Sequence, residues 1–155
     1  MSSQPFPLGI EHEQGIFFDV ADVEFQLENE ENTILWLSKT IEQEDKSLRL
    51  LNFIFCSDQY LLGINQQYLQ HDTLTDIITF PYAEPPLVEG DIFISIERVK
   101  ENAEKYGVSF EHELRRVMAH GVLHLCGFLD KKPKEQALMR SKEDEALALY
   151  ESLSQ

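Results

Sequence analysis

Two histidines and one aspartate in the last third of the chain have the types and spacing of metal ligands. His120 and His124 are four residues apart, so on a helix they share one face, with Cβ atoms about 5–6 Å apart. That separation lets both imidazoles reach one ion at about 2.0–2.1 Å. Gly127 favours a sharp helix end, after which Asp130 can return its carboxylate to the same point. Two imidazoles and a carboxylate leave a position open for water, which is typical of catalytic rather than structural sites.

The remaining histidines and the nearest cysteine give weaker signals. A single histidine on an apolar helix face is more often a core residue than a ligand. Cys126 is a poor fourth ligand, because a residue two positions after His124 points to another side of the helix. His12, His71 and His112 have no comparable partners in the sequence, and we interpret them as ordinary histidines. The sequence therefore favours one metal site, with His120, His124 and Asp130 as ligands.

The elements that must position these ligands follow from the apolar patterning. Strands are predicted at 16–25, 48–56, 77–80 and 91–96. Helices are predicted at 30–44, from Ser57 through Tyr68, and at 97–106, 109–126 and 133–153. Ser57 and Ser109 are suitable N-caps, Gly107 a left-handed stop and Pro133 a first-turn residue. This uneven order, without repeat or linker, predicts a single α+β domain over residues 1–155, in which helices pack on a small mixed sheet.

Composition and charge narrow the class of protein. The first residues, MSSQPFPLG, have neither the basic start nor the apolar segment of a signal peptide, so we expect no signal peptide. No apolar run approaches the length of a membrane span, so we expect no membrane helix. Cys56 and Cys126 do not form a disulfide framework and indicate buried thiols in the cytoplasm. The net charge is −15, yet residues 98–142 contain ten basic and six acidic side chains. This asymmetry is consistent with an anion-facing side on an otherwise acidic body.

Three ordered motifs carry a resemblance to a known family. The segment HGVLHLCGF, beginning at His120, resembles the signature H-G-x-L-H-L-x-G-Y-D-H of the bacterial ribosomal RNA maturation endonucleases, the YbeY family. The stretches 64–81 and Gly90–Ser95 also match that family's pattern. The resemblance spans about residues 60–130. It implies an α+β fold related in outline to zinc peptidases, with a zincin-like metal site on a helix.

The resemblance also implies a function and site residues. It implies one bound zinc ion, cleavage of single-stranded RNA during ribosomal RNA maturation, and ribosomal partners. His120 and His124 match the family's first two histidine ligands. Asp130 stands where the family has its third histidine, and Leu129 stands where it usually has aspartate. Leu69 replaces an arginine that usually follows the tyrosine. A carboxylate oxygen is a normal zinc ligand, so metal binding is compatible with Asp130.

Metal-assisted hydrolysis of a phosphodiester is the leading hypothesis, with the metal lowering the pKa of a bound water. Arg115, Arg116 and Lys131 flank the ligands and are candidates for phosphate contact. Asp76 and Asp91 lie in the matching motifs and are candidates to orient the ligands. The competing interpretations are solvated surface for the basic residues and loop capping for the aspartates. The sequence does not identify a general base.

Two other functions are compatible with a metal site. A zinc peptidase places glutamate directly after its first histidine as general base. Here that position is Gly121, which argues against a peptidase. A non-catalytic ribosome assembly factor, stabilised by its metal, would also fit the sequence. Such a protein would tolerate the loss of the arginine that Leu69 replaces, and its acidic body would be a surface that faces other proteins. Loss of function on substituting His124, with the fold intact, distinguishes catalysis from assembly.

Overall fold

The computed structural model describes residues 14–69 and 75–154. Within them the strands are β1 Gly15–Val20, β2 Ser47–Cys56, β3 Ile77–Pro81 and β4 Leu87–Ser95. The helices are α1 Glu30–Gln43, α2 Asp58–Leu69, α3 Ile96–Tyr106, α4 Phe110–Leu125 and α5 Pro133–Leu153. The first residues, His12, His71 and the side chain of Leu69 lie outside the described part. The interpretations placed on them remain predictions.

The strands form one mixed sheet in the order β1-β2-β4-β3. β1, β2 and β4 run parallel, and β3 pairs antiparallel with β4 at the edge. Within β3, Ile77 lies opposite Ile94, and Pro81 lies opposite Gly90. Proline is tolerated there because an edge strand leaves half of its backbone groups unpaired. The predicted α+β class, with helices packed on a small mixed sheet, is confirmed.

Alternation along the strands divides the core between the two faces of the sheet. Successive side chains of a strand point to opposite faces. Ile92 and Ile94 face the main core, which is buried beneath α1, α4 and α5. Phe93 faces a smaller cluster with Leu61 of α2 and Ile78 of β3. The helix that carries the two histidines, α4, therefore packs on the face of the sheet that holds the larger core.

Two predicted strands differ from the observed ones in length. β1 ends at Val20 rather than at residue 25, because Asp22 turns away to accept hydrogen bonds from the backbone N–H and the hydroxyl of Ser57. β4 begins at Leu87 rather than at residue 91, because it pairs in parallel with β2 from Ser47 onwards. Both differences arise from contacts between distant segments, which local patterning does not reveal.

The predicted helix boundaries hold where a capping residue marks them. Ser57 accepts a hydrogen bond from the Tyr60 backbone N–H, and Ser109 accepts one from His112. Gly107 ends α3 with a left-handed φ of 70°.

Cys56 and Cys126 are buried free thiols, as predicted. No helix among the described residues is long and apolar enough to cross a membrane.

Candidate metal centre

Helix α4 brings the two histidines together. His120 and His124 lie one turn apart near its C-terminal end, and their ring centroids are 4.7 Å apart at an interplanar angle of 77°. Their neighbours Ala119, Val122 and Leu123 are buried in the core. Burial of one helix face fixes the rotation of α4 about its axis. The two imidazoles are consequently held on the partly exposed side.

The turn after α4 supplies the third side chain. Gly127 has a φ of 109°, a conformation that side-chain-bearing residues rarely adopt. The backbone N–H groups of Gly127 and Phe128 donate to the carbonyls of His124 and Leu123, so the chain folds back over the helix end. Asp130 follows three residues later. Its Oδ2 lies 3.2 Å from Nε2 of His120 and 3.1 Å from Nε2 of His124.

The donor set fits a zinc-like ion. One ligand atom from each of the three side chains lies within 4.8 Å of the others. Two ligand atoms on one tetrahedral zinc are about 3.3 Å apart when each bond is about 2.0–2.1 Å. The Oδ2 to Nε2 separations at Asp130 are close to that value. Imidazole nitrogen with carboxylate oxygen suits zinc and several other divalent transition metals.

Glu143 of α5 holds His120 from behind. Its Oε2 lies 2.7 Å from His120 Nδ1, and its Oε1 accepts a hydrogen bond of 2.9 Å from Arg116. Burial alone would lower the pKa of His120, but the hydrogen bond and charge of Glu143 outweigh it and raise that pKa. Burial alone would raise the pKa of Glu143, but His120 and Arg116 outweigh it and lower that pKa. The contact directs Nε2 of His120 towards Asp130.

Sequence reasoning missed Glu143, although a signal was present. The buried residues of α5 are Met139, Glu143, Ala146 and Leu147. Their spacing of three and four residues is that of an apolar helix stripe. A glutamate in such a stripe must find a partner when buried. The sequence does not show that the partner of Glu143 is His120, which lies on the preceding helix more than twenty residues earlier.

The three candidate phosphate contacts have different surroundings. Arg116 is ion-paired through separate nitrogens with Glu143 and Asp144, each at 2.9 Å. Arg115 lies over the Tyr150 ring, 4.2 Å from its centroid, on another side of α4. Lys131 directly follows Asp130 and is exposed. Of the three, Lys131 is therefore the cation best placed to meet a substrate at the centre.

The two candidate orienting aspartates lie on opposite sides of the sheet. Asp76 lines the cavity that also contacts His120, and burial raises the pKa of its carboxyl. Asp91 instead accepts hydrogen bonds from the amide of Asn52 at 3.0 Å and the hydroxyl of Tyr82 at 2.8 Å. It precedes Ile92, whose side chain faces α4, so Asp91 points to the other face. The structure does not bring Asp91 to the histidines.

Gly121 permits close packing of α4 against the sheet. A Cβ atom at this position would lie 2.9 Å from Cδ1 of Ile77 and 3.1 Å from Cδ1 of Ile92. Any larger side chain would have to displace these isoleucine side chains. The glutamate that a zinc peptidase carries after its first histidine would therefore meet a crowded position here. The structure gives a steric reason, besides the chemical one, against the peptidase interpretation.

Fold and site together define the class: a small α+β protein with a candidate His-His-Asp metal centre on a helix beneath a mixed sheet. The family model of endoribonuclease YbeY matches residues 18–151. The endoribonuclease YbeY of Flavobacterium psychrophilum is 55% identical over 129 residues, which cover 83% of this chain and 92% of that protein. The chain therefore belongs to the endoribonuclease YbeY family, and the predicted resemblance is confirmed.

Other relatives agree in sequence and in fold. The endoribonuclease YbeY of Christiangramia forsetii is 47% identical over 138 residues, covering 89% of this chain and 96% of that protein. A solution structure from Thermotoga maritima, of the protein TM1509, superposes with a TM-score of 0.62 at 27% identity. The match covers 86% of this chain and 88% of that one.

Proposed function

We propose that this chain, as one domain over residues 1–155, is a metal-dependent endoribonuclease that hydrolyses phosphodiester bonds in single-stranded RNA during ribosomal RNA maturation. His120 and His124, each through Nε2, and Asp130 through its carboxylate would hold one zinc ion. The observation that carries this proposal is the convergence of the three side chains, with Asp130 Oδ2 3.1–3.2 Å from both imidazole nitrogens. Family membership supplies the substrate class.

The protein residues prepare the site before substrate arrives. When bound, zinc acts as a Lewis acid and lowers the pKa of a coordinated water. Glu143 accepts the Nδ1 hydrogen of His120, so the neutral ring carries its lone pair on Nε2, the atom that faces Asp130. Arg116 in turn holds Glu143. The left-handed turn at Gly127 sets the approach of Asp130.

Substrate binding is assigned to the basic side of the molecule. Lys131 contacts a phosphate next to the centre, because it is exposed and adjacent to a ligand. Arg116 is not a free phosphate-binding group, because it holds Glu143 by a hydrogen bond. Arg115 is not free either, because it packs on the ring of Tyr150. Asp76 helps to orient the centre from the neighbouring cavity. Ribosomal RNA and ribosomal proteins are the proposed partners, and the two buried free thiols suit the reducing cytoplasm.

A non-catalytic assembly factor remains the second candidate because of the net charge of −15, which opposes tight non-specific RNA binding. The two candidates differ in one assay. Metal content would be measured by elemental analysis, and cleavage of end-labelled single-stranded RNA would be followed for the wild type and for His124→Ala. His112→Ala is the matched control, since His112 lies on the same helix and its hydrogen bond to Ser109 uses the backbone N–H, which alanine keeps.

The expected result is one metal per chain and RNA cleavage in the wild type and in His112→Ala, with both lost in His124→Ala. Bound metal without cleavage in any of the proteins would favour the assembly factor. Wild-type protein that binds no metal would contradict the proposal. Unfolding curves of the three proteins would show whether the loss in His124→Ala comes from the site or from the fold.

A further inference from the structure

A polar cavity of about 170 Å³ lies beside the metal centre and has His120 in its wall. The start of β3 and the helices α3, α4 and α5 enclose it. The polar residues that line it besides His120 are Asp76, Asn102, Tyr106, Glu113, Arg116, Arg140 and Glu143. A group bound in this cavity would therefore lie next to the substrate atoms held at the centre.

Glu113 is a largely buried carboxyl group in the wall of this cavity. It is only 5% exposed and lines the cavity. Among the described residues, no hydrogen bond or ion pair to its side chain occurs, whereas Glu143, 6% exposed, contacts both His120 and Arg116. Burial raises the pKa of Glu113 and the charge of Asp76 raises it further, whereas the charges of Arg116 and Arg140 offset part of this rise. The Glu113 oxygens face the cavity with acceptor capacity that no hydrogen bond from the described residues uses, so the cavity is suited to a ligand that donates hydrogen bonds.

The cavity also offers hydrogen-bond donors. Arg140 lines it with a side chain that is 61% exposed and whose Nη1 lies 3.5 Å from Oε1 of Glu143, and Asn102 contributes an amide. A complementary ligand presents adjacent N–H groups to a carboxylate and an acceptor to a guanidinium. Guanine has this pattern, with N1–H and the N2 amino group beside O6, and arginine is a common partner of its O6 and N7. The cavity is smaller than the roughly 300–1,000 Å³ of drug-sized sites, which suits a single base.

We propose that the cavity is a base subsite, in which Glu113 accepts hydrogen bonds from N1–H and the N2 amino group of a guanine in the RNA strand. The guanine is a neighbour of the phosphodiester held at the metal centre, since His120 borders both spaces. This inference rests on the proposed function, because the nuclease reaction is what brings an RNA strand to this place. It makes cleavage dependent on the base beside the cut.

The first test measures binding without catalysis. Wild-type protein would be titrated with guanosine, adenosine, cytidine and uridine, which lack phosphate, and binding would be followed by NMR shifts of the backbone amides around the cavity. We expect guanosine to bind at least tenfold more tightly than uridine. Glu113→Gln should remove that preference, because an amide opposes the guanine donors with its own N–H groups. Glu111→Gln, an exposed change on the same helix, should leave it unchanged.

The second test reads the base preference of cleavage. A pool of random single-stranded RNA would be digested, and the new ends sequenced, with wild type, Glu113→Gln and Arg140→Ala. With the wild type, guanine should be enriched at one position beside the cut. With each of the two variants, that enrichment should be at least fivefold smaller. Arg140 is exposed, so its substitution tests the subsite even if Glu113→Gln unfolds.

The outcomes separate the two proposals. Guanosine binding that depends on Glu113, in a protein that cleaves no RNA, would support the subsite and overturn the proposed function. RNA cleavage without any guanine preference, or with a preference unchanged in both variants, would overturn the subsite and leave the nuclease in place. Equal shifts with guanosine and uridine up to the solubility limit would also overturn the subsite.

Discussion

His120 Nδ1 and Glu143 Oε2 are 2.7 Å apart, in a contact that joins α4 to α5. Glu143 also accepts from Arg116, so its carboxylate is held from two sides. This arrangement fixes the orientation of the His120 ring and places a hydrogen on Nδ1. The geometry of the candidate metal centre thus depends on a helix that contributes no ligand.

Removing the Glu143 acceptor should weaken metal binding. We expect Glu143→Leu to lower zinc affinity by roughly 10–100-fold, which is the usual effect of losing a hydrogen-bond partner of a ligating histidine. Glu143→Gln keeps an oxygen acceptor for Nδ1–H and should lose much less. Zinc affinity would be measured by competition with a chromophoric chelator, with Glu151→Leu as an exposed control on α5. Equal affinities for Glu143→Leu and Glu143→Gln would contradict the role of Glu143.

Metal removal should lower stability only when the ligand set is intact. Binding to the folded state alone adds about 4 kcal/mol to the free energy of unfolding when free zinc is about 1,000 times Kd. Urea unfolding of the wild type, with zinc and with a chelator, should show a difference of this order. The difference should vanish in His124→Ala and persist in His112→Ala. A zinc effect of the same size in His124→Ala would mean that the metal binds elsewhere.

Gly121→Ala should destabilise the fold. The added Cβ would lie 2.9 Å from Cδ1 of Ile77 and 3.1 Å from Cδ1 of Ile92, so these packed side chains must move, at a cost of about 1–3 kcal/mol. Gly63→Ala on α2 is the matched control, because no heavy atom lies within 4 Å of its added Cβ. Alanine there should stabilise by about 0.5–1 kcal/mol. Chemical denaturation of both variants measures this, and a neutral Gly121→Ala would refute the tight contact.

The Cys56 thiol should make stability decline at alkaline pH. Burial, with smaller contributions from Asp22 and Asp58, raises its pKa from 9.0 to about 12. The unfolded chain therefore loses a proton above pH 9 that the folded chain keeps, so the thiol's contribution to stability is complete below pH 9 and falls as pH rises towards 12. The expected slope is about 1.4 kcal/mol per pH unit. Unfolding of wild type and Cys56→Ala under reducing conditions, at several pH values, gives this slope by difference, and parallel curves would contradict it.

Lys131 should contribute one phosphate contact to RNA binding. We expect Lys131→Ala to reduce the slope of log affinity against log salt concentration by about 0.7, the value for one phosphate of a single strand. Lys39→Ala, an exposed change on α1 in the acidic part of the chain, should leave the slope unaltered. Fluorescence anisotropy with labelled single-stranded RNA measures both. An unchanged slope for Lys131→Ala would identify it as a solvated surface residue.

The sequence by itself determined the features that depend on short separations. The four-residue interval of His120 and His124, the glycine that ends α4, and the caps at Ser57 and Ser109 are local, and all appear in the structure. The order of strands and helices and the family were also readable, because patterning and motifs lie along the chain. These features needed no knowledge of which elements pack together.

Only the tertiary structure decided which helices and strands pack together, and therefore which side chains meet. Periodicity shows that one face of α5 is buried, but not that Glu143 on that face meets His120. Asp91 belongs to a sequence motif that matches the family, yet only the pairing of β4 within the sheet shows that the Asp91 side chain lies on the face away from α4. The cavity around Glu113 likewise forms from three helices and a strand. Such contacts are set by packing between residues far apart in sequence, where local patterns specify burial but not the neighbour.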